Sequence, residues 1–413
     1  MSDHQVSENV TALANAGHRI LLLSAYEAHS HRQWRDTLYA MFPDHHWTCL
    51  SLPPRHFAWR VRGNSLSWAF NHRQTLTDNY DLLIVTSLTD LSSLRGFVPE
   101  LARLPTLVYF HENQFAYPAR PANAPGSASD LTRQSNLVNA QLTSLYTALC
   151  ADHIAFNSDW NQRSFYMGLD TLLHKLPDQV PAGLLQQLQA RSSVLAVPLP
   201  DQLYANSPDN DNDSDTRHLN ETSKPLQLVW NHRHEYDKGP ALLLAIVQQL
   251  TSQGLRFRLH LLGQRFRQEP DEFGHARALL ATYYARQGIT PGVDAWVASR
   301  DEYETLLSTS DIVLSTAQHD FQGLSILEGM ARGCVPLVPD ALAYPEYIDE
   351  ACLYPVTGLT IAEQANAVCS MLSCWEQQWQ DPGSRRPTND ISRFSASAMR
   401  APWATLLESL TAP

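Results

Sequence analysis

The sequence predicts an α/β protein of two doubly wound domains, each a parallel sheet with helices on both faces. Three observations carry that expectation. The chain has 413 residues, more than one hydrophobic core usually organises. Short apolar runs alternate with longer stretches whose apolar residues recur at helical spacing, as βα units require. The alternation stops once, between Asp201 and Pro225, where residues 209–215 read Asp-Asn-Asp-Asn-Asp-Ser-Asp, and then begins again. Residues 1–200 are thus expected to form the first domain, 201–225 a solvated acidic linker, and 226–390 the second domain.

Each element follows from its residues. Ile20–Ser24 is a short apolar run of the kind that makes a buried parallel strand, and a helical stretch follows from about Ser30 to Met41. Further strands are expected at Thr48–Leu52, Leu82–Thr86, Thr106–Phe110, His153–Phe156 and Val194–Val197. Leu131–Ala151 is a helix with Leu137, Val138, Leu142, Leu145 and Leu149 on one face, and Asn157-Ser158 caps a second over Asp159–Met167. Beyond the linker, strands are expected at Leu226–Trp230, Arg256–Leu262, Ala295–Val297, Ile312–Ser315 and Val335–Val338. The helices between them span Pro240–Thr251, Glu272–Arg286, Glu302–Thr309 and Leu324–Ala331. Residues from about 391 to 413, with Phe394, Trp403, Leu406 and Leu407, read as a helix packing back on the first domain. Two such halves would face a cleft lined by the carboxyl ends of their strands, where ligands bind in open α/β sheets.

Composition narrows the function. Hydrophobic residues make up 44% of the chain, yet no run approaches the roughly 18–20 apolar residues of a membrane span. The first residues, Met1-Ser-Asp-His-Gln-Val-Ser-Glu8, lack the basic start and apolar core of a signal peptide, so a cytoplasmic protein with no membrane partner is expected. The six cysteines show no metal-ligand spacing and read as reduced thiols. A net charge of −12 argues against a general nucleic-acid binder. Of 30 basic residues only Lys175, Lys224 and Lys238 are lysines, which draws attention to Lys238 inside a motif.

That motif is Val229-Trp-Asn-His-Arg-His-Glu-Tyr-Asp-Lys-Gly-Pro240, a strand end followed by a polar loop and a helix start. Arg233 and Lys238 beside a helix N-terminus suit a diphosphate, neutralising it and stabilising charge on a departing nucleoside diphosphate; an ordinary basic loop is the bland alternative. His232 and His234 have no third partner in sequence, so no metal is expected. A second motif runs from Thr316 to Pro339: Asp320 and Glu328 lie eight positions apart, with Gly323 permitting a tight turn before a helix that starts at Leu324. Carboxylates there can accept hydrogen bonds from sugar hydroxyls while the helix start faces phosphate. In the first domain the strand Thr106–Phe110 leads into His111-Glu112-Asn113-Gln114, polar groups suited to a substrate hydroxyl or to a satisfied core histidine. Ser30 and His31, after the first strand, lie at the same sheet edge. Finally, Pro53–Gly63 interleaves Arg55, Arg60 and Arg62 with Phe57 and Trp59, either a place to grip single-stranded RNA or a surface loop anchored by its aromatics.

Together these residues resemble the retaining glycosyltransferases of family 4, with their acidic pair eight apart and basic pair five apart. The closer resemblance is to the tRNA-queuosine mannosyltransferases, through His111-Glu-Asn-Gln114, Phe156-Asn-Ser158, Trp230–Lys238, Ser315–His319, Tyr344-Pro-Glu346 and Trp59-Arg-Val-Arg62. That resemblance implies a GT-B fold of two Rossmann-like domains, GDP-mannose as donor, and the cyclopentenediol of queuosine at the tRNA wobble position as acceptor. It implies that Arg233 and Lys238 hold the diphosphate with Gly323 and Leu324 beside it, Glu328 the ribose, and Asp320 and His111 the transferred sugar. Ser30, His31, Arg55, Trp59, Arg60, Arg62, Glu112, Asn113, Gln114 and Asn157 would serve the acceptor, and no cofactor or divalent metal is required. Asp320 stands where relatives usually carry Glu, and Ala28-His29 where they carry a Gly-Gly pair. A glycolipid or saccharide acceptor is the rival; it would favour a basic amphipathic helix, and none is evident. A nucleotide-binding module without catalysis is the third reading, which the presence of both pairs argues against.

Overall fold

In the computed structural model, Arg19–Ser24 (β1), His46–Ser51 (β2), Leu82–Thr86 (β3), Thr106–Phe110 (β4), His153–Phe156 (β5) and Ser192–Val194 (β6) form one sheet. Residues 17–117, 130–204, 224–266, 268–381 and 383–412 are described. All pairings in the sheet are parallel, in the order β2-β1-β3-β4-β5-β6. β3 and β4 are buried at every residue, as strands covered on both faces must be, which is why they read as unbroken apolar runs. The covering helices are His29–Met41 (α1), Phe57–Asn71 (α2), Leu91–Phe97 (α3), Asp130–Leu149 (α4), Asp159–Lys175 (α5) and Leu184–Gln189 (α6). Ser158 caps α5 by accepting from the Asn161 N–H at 3.0 Å.

A second sheet holds Leu226–Asn231 (β7), Phe257–Leu262 (β8), Asp294–Ala295 (β9), Ile312–Leu314 (β10), Val335–Pro339 (β11) and Leu353–Tyr354 (β12). Its order, β12-β11-β10-β7-β8-β9, reverses direction between β7 and β10, and all its pairings are parallel. Its helices are Pro240–Gln253 (α7), Asp271–Gln287 (α8), Arg300–Ser308 (α9), Leu324–Ala331 (α10) and Ile361–Gln378 (α11). The chain divides into two compact units. One comprises the stretches ending at Tyr117 and Leu199 together with Ala396 onward, and the other contains Pro200–Ser395. The last helix, Ala396–Thr411 (α12), therefore belongs to the first unit, where the fully buried Trp403 lies 6.0 Å from Trp34 and 5.3 Å from Tyr109 between ring centroids.

Three expectations are corrected, and one helix is added. Pro53–Gly63 is not an open loop: α2 begins at Phe57, and Asn64 inside it ties the helix to the loop after β3, donating to the Leu88 carbonyl and accepting from the Asp90 N–H. Its buried face mixes Val61 and Trp68 with Gly63, Asn64 and Ser65, so no apolar period advertised a helix. The last strand of the first sheet lies at Ser192–Val194 rather than Val194–Val197; Leu195 still donates to Phe156, but Pro198 and Pro200 cannot continue a ladder. On α4, Leu137 and Val138 of the expected face are exposed while Leu145 is buried, and Ala140, Thr143, Ser144, Thr147 and Ala148 are buried with it. The buried hydroxyls are satisfied by carbonyls, Thr143 by Asn139 and Thr147 by Thr89. Helix α11, with a capping box between Thr360 and Glu363, was not anticipated at all. Most of the expected acidic linker, residues 205–223, lies outside the described residues. Among the described residues no helix is long and apolar enough to cross a membrane.

Candidate active site

The reversal of strand order between β7 and β10 leaves a crevice at their carboxyl ends, the position where doubly wound sheets bind ligands. Both motifs emerge there, because β7 leads into His232–Gly239 and the neighbouring β10 into Ser315–Gly323. The two loops are stitched together. Lys238 donates its Nζ to the His319 carbonyl at 2.6 Å, Thr316 Oγ1 donates to the Lys238 carbonyl, and the Gln318 N–H donates to the Asp237 carbonyl. These bonds hold the Lys238 ammonium 3.5 Å from the Asp320 carboxylate and 3.5 Å from Asp237.

Asp320 is fixed from several sides. Its Oδ1 accepts from the Gly323 N–H at 3.0 Å, and its Oδ2 accepts from the Tyr344 hydroxyl at 3.3 Å. Burial alone would raise its pKa, but Lys238 outweighs that, helped by the Gly323 N–H, and the carboxyl is held below its usual range. Burial likewise opposes ionisation of Asp237, and Lys238, His319 and Arg233 again prevail. Asp237 thereby links both cations of the motif: its Oδ2 is 3.9 Å from Arg233, which is half-exposed and also pairs with Glu235. Gly323 adopts φ +73° immediately before α10, and a Cβ there would lie 2.6 Å from a Tyr344 ring carbon and 2.6 Å from the Tyr347 hydroxyl. The Leu324 and Ser325 N–H groups lie at the start of α10, ahead of the first bonds that Ile326 and Leu327 donate to the Gly323 carbonyl.

Glu328 is buried one turn further along α10 and is bound by two residues that sequence reasoning missed. Tyr303 on α9 donates its hydroxyl to Oε2 at 2.6 Å, and Arg300 pairs with Oε1 at 3.0 Å. Burial, then the adjacent Glu328, raises the Tyr303 pKa far above its ordinary value, so the phenol keeps its proton. Asn231 at the end of β7 donates to the same hydroxyl. The only signal was Arg300-Asp-Glu-Tyr303 at a helix start, too common to single out.

The two histidines are engaged by neighbours within the second unit. His232 contacts the hydroxyls of Ser315 at 3.0 Å and Ser325 at 3.3 Å, and burial, then Lys238, pushes its pKa down to about 3. His234 stacks on Phe273 at 4.5 Å and pairs with Glu269 at 2.6 Å. No group of three metal-ligating side chains occurs among the described residues.

In the first unit, the loop after β4 sets His111 in an aromatic cage, 4.1 Å from His31, 4.6 Å from Trp34 and 4.7 Å from Tyr109 between centroids. Burial, with His31 adding to it, pushes its pKa well down, so the ring is neutral at pH 7. Its Nε2 is buried without a hydrogen bond among the described residues. Ser30 and His31 lie in the first turn of α1, half-buried and buried. Asn113 and Asn157 are not presented to a ligand. Asn113 donates to Asn161 and Ser164 while accepting from the Phe115 and Ala116 N–H groups, and Asn157 donates to the His111 carbonyl. Gln114 is buried, and Glu112 is half-buried, accepting from Tyr117. Of the Arg55–Arg62 cluster, Arg60 turns inward and is buried, whereas Arg55 and Trp59 are exposed and Arg62 pairs with Asp90 at 3.4 Å.

Residues 19–199 match the family model of the tRNA-queuosine alpha-mannosyltransferase N-terminal domain. A Drosophila melanogaster tRNA-queuosine alpha-mannosyltransferase is 28% identical over 361 residues, covering 87% of this chain and 89% of that protein. Among solved structures, Anabaena HepE in complex with UDP and glucose matches with TM-score 0.56 at 16% identity, over 95% of this chain and 100% of that one. A UDP-forming trehalose-phosphate synthase from Burkholderia xenovorans matches with TM-score 0.60 at 13% identity, over 96% and 100%. The first unit thus matches the N-terminal domain of the tRNA-queuosine alpha-mannosyltransferases, and the two doubly wound units are those of a glycosyltransferase with a GT-B fold.

Proposed function

We propose that the protein transfers mannose from GDP-mannose to the cyclopentenediol of queuosine at the wobble position of a tRNA, with retention of anomeric configuration and without a divalent metal. The observation that carries the donor assignment is the Lys238 ammonium held 3.5 Å from the ionised Asp320 carboxylate beside the start of α10. Phosphate and sugar need opposite charges a few ångströms apart, and this pair supplies them. Lys238 and Arg233 take the diphosphate, with Gly323, Leu324 and the α10 N-terminus facing it. Asp320 accepts from hydroxyls of the sugar, and Glu328, oriented by Tyr303 and Arg300, accepts from the ribose. His111, kept neutral, can donate to or accept from a hydroxyl of the sugar.

In the reaction the bond from the anomeric carbon to the diphosphate oxygen breaks, and the acceptor hydroxyl bonds to that carbon on the same face. The hydroxyl proton passes to the departing diphosphate, whose charge Lys238, Arg233 and the helix start stabilise. The acceptor assignment rests on the similarity to the Drosophila enzyme. The test incubates the protein and GDP-mannose with tRNA containing queuosine and with the same tRNA lacking it, and weighs the nucleosides. A hexose added to queuosine alone is expected. Equal transfer to both tRNAs, or to neither, sinks the acceptor assignment.

A further inference from the structure

Helix α2 presents an open face that the donor site does not use. Positions 59, 62, 66 and 70 share one side of the helix, and Trp59 (55% exposed), Leu66 (45%) and Phe70 (70%) all lie open to solvent. Trp59 is distinguished by its seat. A Cβ added to Gly63, one turn later, would come within 2.3, 2.6 and 2.8 Å of three carbons of the Trp59 indole. The ring therefore lies down against bare backbone at Gly63, and more than half of the side chain remains uncovered. Glycine is disfavoured in a helix interior more than any residue except proline, so its presence in mid-helix has a use: any side chain at 63 would lift the indole. Arg55 stands exposed just before the helix, and Arg62, 47% exposed, is held by Asp90 at 3.4 Å within a turn of the ring.

We infer that Trp59, seated on Gly63, is a stacking platform for an unpaired nucleobase of the RNA acceptor, with Arg55 and Arg62 taking the flanking phosphates. The inference rests on the proposed acceptor class. A chain of net charge −12 repels RNA over most of its surface and must gather cations where it grips the strand. An indole clamped flat with an open π-face accepts any base, which suits recognition of a loop beside one modified nucleoside.

The test measures binding of a fluorescently labelled anticodon stem-loop to the full chain. Trp59→Ala is expected to weaken binding by about tenfold or more, and Trp59→Phe to recover most of it. Gly63→Ala is expected to reproduce the loss without lowering Tm, because its methyl evicts the ring while alanine favours the helix. Wild-type affinity in both Trp59→Ala and Gly63→Ala overturns the platform. So does a change of oligomeric state in Trp59→Ala by light scattering, which would make the face a protein interface. Trp59-dependent binding by a wild-type chain that adds no sugar to the RNA would instead leave the platform standing and refute the acceptor reading.

Discussion

At the scale of single residues, the donor site is a set of charges held by neighbours, and the holders are the part that sequence could not reveal. Arg233, Lys238, Asp320 and Glu328 stand out because their spacing pairs them along the chain. Tyr303 and Arg300 act through contacts made only in three dimensions. Lys238→Ala should lower kcat by roughly two orders of magnitude or more, as removing one preorganised stabiliser of transition-state charge does, with kcat measured at saturating donor as the check. Tyr303→Phe removes a hydroxyl that bonds an ionisable carboxylate, worth about 1.5–3 kcal/mol. Its donor KM should rise by roughly tenfold, while kcat changes little because the charges at the diphosphate are untouched. Titration gives a third expectation. His232 has a pKa of about 3 when folded against 6.5 for the unfolded group, so the unfolded chain binds the extra proton between those values. Its contribution to stability is complete above about pH 6.5 and is lost as the pH falls toward 3. Asp237 and Asp320, held below 3.8, contribute with the same sign but lose their share only at lower pH. Thermal melts from pH 7 to 4 should show a falling Tm, and a flatter slope in His232→Asn; equal slopes would assign the loss to other groups.

Secondary-structure elements were legible where their apolar pattern was strong. Leu82–Thr86, Thr106–Phe110, His153–Phe156 and Leu324–Ala331 form at the expected bounds, because each is a short hydrophobic unit ended by polar or glycine residues. Helix α2 was invisible because its buried face is built of Gly63, Asn64 and Ser65 as well as Val61 and Trp68. The face of α4 was misread for the same reason: it buries hydroxyls that find carbonyls, so polarity did not mark exposure. The turn before α10 shows an element fixed by one residue. Gly323→Ala must hold alanine at φ +73° and fit a methyl against Tyr344 and Tyr347, so a loss of about 1–2 kcal/mol or more is expected. Chemical denaturation measures that loss, and donor KM should rise with it as the helix start shifts. A variant as stable as wild type with unchanged KM would show that the turn tolerates a side chain.

For the molecule as a whole, long-range contacts decide how distant segments support each site. α12 returns from the end of the chain to the first unit, its Ala396 N–H donating to the Leu199 carbonyl. Its Trp403 is fully buried against Trp34 and Tyr109, the same rings that surround His111. Trp403→Ala should therefore cost about 3–5 kcal/mol and loosen the His111 cage as well. Denaturant melts check the first effect, and a rise of the His111 pKa in NMR titration checks the second, because water admitted to the cage would favour the charged ring.

The sequence by itself determined the α/β class, the alternation of elements and the two charged motifs, because apolar period and local spacing are properties of neighbours along a chain. Tertiary structure alone decided that β7 and β10 lie side by side, so that Lys238 meets Asp320, and that α9 supplies Tyr303 and Arg300 to Glu328. It also decided that Arg60 turns inward while Trp59 lies open on Gly63. Strand order, burial and side-chain contact depend on packing between segments far apart in the chain, and spacing along the chain does not encode those distances.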